Sequence, residues 1–163
     1  MKQILNQYAG YNYWANKIIL EKLARVPHEL WTLENGSSFG SIYNTVVHMM
    51  ETESVWWQRM KLKERIELPQ KDPEQNDAAI SQKLLFQSKQ WKEWVDAAND
   101  KIITHVFGYQ NTHKELFKQP IYEMLMHLFN HQSYHRGQIV TMLRQAGIDK
   151  IPATDFIVFC RKK

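Results

Sequence analysis

Four long stretches of this chain keep apolar residues at the i, i+3, i+4 spacing of an amphipathic helix. The last of them, from Pro120 to Ala146, runs about 27 residues without an interior proline. On its helical wheel Ile121, Met124, Leu125, Leu128, Ile139, Met142 and Leu143 fall within an arc of roughly 100°. A chain that repeats such a face four times must bury each face against the others. With so little strand signal, the expected fold is all-α, a four-helix bundle.

The first stretch spans Lys2 to Arg25 and ends before Pro27, with Gly10 a weak point costing about 1 kcal/mol relative to Ala. After the polar loop Glu34-Asn35-Gly36-Ser37-Ser38-Phe39-Gly40, Ser41 is placed to cap a second helix that reaches about Leu62. Pro69, Asp72 and Pro73 mark the turn that follows. Asp77 is placed to cap the third helix, whose apolar stripe continues from Ile80 to Ile102. Before the fourth helix, Ile102–Phe107 and His113–Phe117 predict a short hairpin turning around Gly108–Asn111. Pro120 suits the first turn of the fourth helix, and Gly147 suits its C-terminal stop. The tail from Ile148, with Phe156-Ile157-Val158-Phe159, is apolar enough to pack back on the bundle. Residues 1–163 therefore read as one helical-bundle domain.

Composition excludes several classes. A hydrophobic share of 44% with six Trp supports a real core, yet no uninterrupted 18-residue apolar run exists to span a membrane. Asn12, Asn16 and Lys17 break the N-terminal segment, so it does not read as a secretory signal. A lone cysteine, Cys160, cannot form an internal disulfide, and a cytoplasmic location is expected. The net charge is +4, but Lys and Arg are scattered rather than gathered on one element, which disfavours nucleic acid as a partner.

The chemistry concentrates on the fourth helix, where His131 and His135 lie four residues apart. That step advances the wheel by only about 40°, so both imidazoles leave one face. His135 falls inside the apolar arc and His131 at its border. An unpaired polar ring there costs roughly 1 to 3 kcal/mol, which hydrogen bonds to neighbouring helices or a shared metal ion would offset. His48, bracketed by apolar residues on the second helix, is the third candidate ligand. His127 continues the row, but three successive i, i+4 positions rise about 12 Å, too far for one ion, and packing or support is expected of it. The metal set is thus His48, His131 and His135.

His28, His105 and His113 lie near loops or helix ends and read as surface residues. Glu53 sits about 140° from His48 on the wheel, which argues for a structural role. Arg136 reads as a surface or dimer-contact residue, and Gly137 as a point of close approach by a helix or ligand. Asn44, Glu51, Thr52 and Gln138 lie within a turn of the candidate ligands and are placed to tune them. His131-Gln132-Ser133-Tyr134-His135 has metalloprotease spacing but lacks the glutamate that would act as general base.

Taken together, Tyr13-Trp14-Ala15-Asn16, Gly36-Ser37-Ser38-Phe39-Gly40-Ser41-Ile42 with His48, Glu53 and Trp56, His127-Leu128-Phe129-Asn130-His131, His135-Arg136-Gly137-Gln138, and Pro152 with Thr154-Asp155 resemble the DinB/YfiT-like family of metal-dependent proteins. The resemblance covers nearly the whole chain. It implies a four-helix bundle, often a homodimer, with a three-histidine site for zinc or nickel falling on His48, His131 and His135. Similar proteins include thiol transferases that use bacillithiol or mycothiol. The expectation is therefore a metal-dependent S-transferase that joins a low-molecular-weight thiol to an electrophilic small-molecule substrate. The alternatives are a structural or sensory ion without catalysis, and a metal-dependent hydrolase.

Overall fold

Ser41 stands in extended backbone, and its hydroxyl accepts a hydrogen bond from the Asn44 amide at 3.2 Å, starting the long helix that the sequence predicts there. The computed structural model describes residues 1–63, 65–68, 72–111 and 113–161. The turn expected at Pro69 lies outside them.

In chain order the elements are α1 (Lys2–Leu23), α2 (His28–Thr32), α3 (Ile42–Met60), α4 (Asp77–Ala97), α5 (Asp100–Ile103), β1 (Val106–Gln110), β2 (Leu116–Pro120), α6 (Ile121–Gln145) and α7 (Phe156–Cys160). The fold is all-α apart from one two-stranded sheet. Both α1 and α3 pack against α4 and α6, so the four long helices form a ring in the order α1, α4, α3, α6.

Helix directions follow from two apolar clusters. One joins Ile19 and Leu23 from late α1, Ile42 to Met50 from early α3, Ile80 and Leu84 from early α4, and Ile139 to Leu143 from late α6. The other joins Leu5 and Ala9, Trp56 and Met60, Trp91 and Val95, and Ile121 to Phe129. Hence α1 and α6 run one way, α3 and α4 the other. The connection from Met60 to Asp77 carries the chain back along the bundle, and α3 lies antiparallel to α6. No helix among the described residues is long and apolar enough to cross a membrane.

Several local expectations shift. Asn76, not Asp77, caps α4, accepting from the Ala79 amide at 2.9 Å; Asp77 occupies the first helical position and meets His28 Nδ1 at 2.9 Å. The third helix does not reach Ile102. It stops where Ala98 turns extended, and Asn99 recaps a new turn, α5, through the Ile102 amide at 2.9 Å. Asparagine offers the backbone a competing acceptor, and here it wins over an unbroken apolar stripe.

The hairpin forms a few residues beyond its expected place. Gly108 lies within β1, paired with Lys118, and Val106 pairs with Pro120. Pro120 ends β2 in extended backbone and directly precedes α6 rather than entering its first turn. Gly147, at φ +79°, ends α6 as expected, with the Ile148 amide bonded to the Leu143 carbonyl at 2.9 Å. Short α2 was not foreseen; it buries Trp31, whose indole donates to the Leu23 carbonyl at 3.1 Å. The tail returns as expected, stacking Phe156 on Tyr8 with ring centroids 4.9 Å apart.

Candidate metal centre

The antiparallel contact of α3 with α6 sets His48 opposite His131 and His135. The His131 Nε2 lies 3.0 Å from the Nε2 of His48 and 3.0 Å from that of His135. Ligand atoms of all three fall within 4.8 Å of one another, in the one such His/Cys/Asp/Glu group found among the described residues. Two nitrogens bound at about 2.05 Å to a tetrahedral ion stand roughly 3.3 Å apart, so the spacing is compatible with a shared metal.

Bare imidazoles satisfy this arrangement poorly. A single neutral ring nitrogen offers either one proton or one lone pair, yet His131 Nε2 has two imidazole neighbours at hydrogen-bond distance. The other nitrogen of the same ring, Nδ1, is buried without a partner. One cation among the three Nε2 atoms would meet all three lone pairs at once.

The surroundings favour the ligand form. His135 Nδ1 lies 2.7 Å from Gln138 Oε1, an oxygen that can only accept, so Nδ1 carries the proton and Nε2 presents its lone pair. Burial first, then the neighbouring His135, pulls the pKa of His48 down to about 4. Burial, followed by His135, His48 and His127, does the same to His131, also to about 4. The His135 pKa is lowered by burial, against the opposing bond from Gln138. All three are neutral at pH 7, as ligation requires.

Phe39 walls the site. Its ring stacks on His48, centroids 4.0 Å apart, and meets His135 edge-on at 5.5 Å. Asn44 holds it by donating from Nδ2 to the Phe39 carbonyl at 3.1 Å. The carrying loop needs left-handed backbone at Gly36 (φ +64°) and Gly40 (φ +77°). Of the four residues expected to tune the ligands, Gln138 thus touches one directly and Asn44 acts through Phe39. His127 stays outside the ligand group, exposed, with its ring against Trp56 at 5.7 Å and His131 at 5.8 Å. His105 and His113 are exposed, and His28 is exposed but paired with Asp77.

Two sequence expectations are overturned beside the ligands. Arg136 is not at the surface: it is 2% exposed, donating from Nη1 to Asn12 Oδ1 at 2.9 Å and Asn16 Oδ1 at 2.7 Å, and from Nη2 to Ser133 Oγ at 2.7 Å. No helix closes on Gly137, where a Cβ would meet nothing within 4 Å; a Cβ at Gly10 would lie 3.3 Å from Phe159 Cζ and one at Gly40 3.2 Å from Glu34 Oε2.

Glu53 is structural, as expected. Its carboxylate accepts from Asn12 Nδ2 at 2.8 Å and from Ser88 Oγ at 2.9 Å, and burial pushes its pKa up to about 7 against those bonds and the Arg136 charge. Gln132 completes the layer by donating to the Met49 carbonyl at 2.8 Å, with Asn16 Nδ2 3.4 Å from its Oε1. This polar layer lies between the two apolar clusters and joins all four long helices. Met49, Gln132 and Arg136 each directly follow a candidate ligand, so the layer fixes the helices that bear them. Sequence reasoning missed Phe39, Gln132, Asn12 and Asn16 as contributors. The visible signal was Asn12 and Asn16, i and i+4 on an apolar helix side.

Comparison with known proteins agrees with this picture. The DinB family model matches residues 1–161. Protein DinB of Bacillus subtilis (strain 168) is 30% identical over 151 residues, covering 90% of this chain and 87% of that protein. The crystal structure of a DinB-like protein from Bacillus cereus ATCC 10987 superposes with a TM-score of 0.63 at 21% identity, over 85% of this chain and 89% of that one. At that identity the superposition speaks for the fold alone.

Proposed function

The chain belongs to the DinB family, and from that premise we propose that His48, His131 and His135 hold a divalent transition metal, zinc or nickel, in a thiol-dependent S-transferase. The observation that carries this reading is the convergence of three neutral imidazole nitrogens from two helices, with no carboxylate or thiolate in the group. Three protein ligands are the pattern of catalytic zinc sites, which keep a position for a reacting molecule. Such an ion, when bound, supplies Lewis acidity that favours the thiolate form of a thiol at neutral pH.

The chain's own residues do the rest. Gln138 keeps the His135 lone pair aimed at the cluster, and Phe39 shields His48 from water on one side. The reaction joins thiolate sulfur to an electrophilic carbon; the leaving group departs with its bonding electrons, and the thiol proton passes to solvent. A purely structural ion is less favoured, because the Glu53 and Arg136 layer already ties the four helices by direct hydrogen bonds. The same reading has the protein act as a homodimer on a small-molecule electrophile.

The test is elemental analysis of protein purified without a histidine tag, followed by chloride release from 1-chloro-2,4-dinitrobenzene with several low-molecular-weight thiols. Retained zinc or nickel and thiol-dependent chloride release support the reading. No metal, and no uptake on adding zinc or nickel, would sink it. Metal without thiol-dependent turnover would leave a non-catalytic ion.

A further inference from the structure

A cavity lies where the end of α3 meets the hairpin, about 16 Å further along α3 than His48. Its volume is about 300 Å³, and Arg59, Leu62, Lys63, Ile66, Tyr109 and Leu116 are among the residues that line it. That volume is at the lower bound of small-molecule sites.

We propose that this cavity binds a small molecule bearing a carboxylate on an apolar or aromatic body, with Arg59 as the anion receptor. Two independent features point to such a ligand. The first is a cation held between aromatic faces. The Arg59 guanidinium sits 4.7 Å from the Trp56 ring centre and 5.4 Å from that of Tyr109, while no carboxylate among the described residues lies within salt-bridge distance. Its Nε is buried without a partner, and burial lowers its pKa. Aromatic faces compensate part of the lost hydration of a guanidinium, but they do not accept its in-plane N–H bonds. A planar carboxylate does, through two parallel bonds.

The second feature is apolar surface in the same place. Leu62 is 71% exposed and Leu116 78% exposed, and both line the cavity. A ligand with an apolar body would cover both leucines while its carboxylate meets Arg59. Inorganic phosphate would use the cation and leave the leucines exposed.

The test uses the whole protein and benzoate as probe, followed by NMR of the Arg59 Nε–H and the Trp56 indole N–H. Uncharged benzamide and inorganic phosphate are the controls. Saturable shifts at both groups are expected with benzoate, with binding about tenfold weaker for each control. Arg59→Met keeps an apolar stem between the two rings and should weaken benzoate about tenfold or more, whereas Arg59→Lys should weaken it less. Matching circular dichroism and melting temperature would establish that the variants are folded, and if Arg59→Met does not fold, Arg59→Lys with the two control probes decides. Absence of saturable shifts, benzamide binding as well as benzoate, phosphate binding more tightly than benzoate, or unchanged benzoate affinity in the folded Arg59 variants would each overturn the proposal.

Discussion

The histidine cluster and the Glu53–Arg136 layer share α3 and α6 and alternate residue by residue, yet they solve burial in opposite ways. The layer is closed but for Arg136 Nε, which is buried without a partner. Asn12 stands between the two charged groups, donating to Glu53 and accepting from Arg136, while Ser88, Asn16 and Gln132 take up neighbouring polar atoms. The cluster is open: three lone pairs converge where their own tautomers cannot satisfy one another. A buried polar group that is internally satisfied holds structure, and one whose acceptors converge on a point invites a ligand.

Substitutions and pH press on that contrast, beginning with the largest effect. His131→Ala removes the nitrogen central to the cluster and should reduce retained zinc or nickel to background, while metal-free stability moves by less than about 1 kcal/mol. Elemental analysis beside urea denaturation reads both. Arg136→Met should do the reverse to stability, losing about 3 kcal/mol or more by leaving Glu53 and two asparagine oxygens without their cation. Glu53→Gln, which keeps acceptor and donor capacity, should cost under about 1 kcal/mol in the same denaturation series. Gln132→Leu joins the two regions, since it breaks the bond to the carbonyl beside His48. About tenfold weaker metal binding is expected, with a stability cost of roughly 1 to 2 kcal/mol. Unchanged affinity in a folded Gln132 variant would confine the layer to structure.

In the pH dependence of metal-free stability the two regions should oppose each other. Unfolded histidine takes up its proton near 6.5, but His48 and His131 resist until about 4, so their contribution is present above 6.5 and lost as pH falls through that window. Glu53 has an ordinary value of 4.5 raised to about 7, so its contribution is present below 4.5 and lost as pH rises through about 7. Glu53→Gln should remove the neutral-side loss, and His48→Ala should weaken the acid-side one. The smallest effect separates two glycines. Gly137→Ala, with open space around it, should stabilise by about 0.5 to 1 kcal/mol, while Gly10→Ala should gain less because Phe159 must shift. Thermal melts of the two variants measure the difference.

Much of this was legible along the chain. Helical periodicity identified α1, α3, α4 and α6, Ser41 announced the start of α3, and Gly147 the end of α6, because each depends on contacts within a turn or two. The i, i+4 spacing of His131 and His135 placed both rings on one face for the same reason. The errors fell where local rules compete: an apolar stripe concealed the recapping at Asn99, and a polar side chain on a mostly apolar helix, Arg136, was mistaken for surface.

The sequence by itself determined an all-α chain with four amphipathic helices and nominated three histidines, since periodicity and capping are short-range properties. Only the tertiary structure decided that His48 faces the other two, that Phe39 covers them, and that Arg136 is buried against Asn12 and Asn16. Those depend on helix order and direction, which are set by packing between residues far apart in the chain.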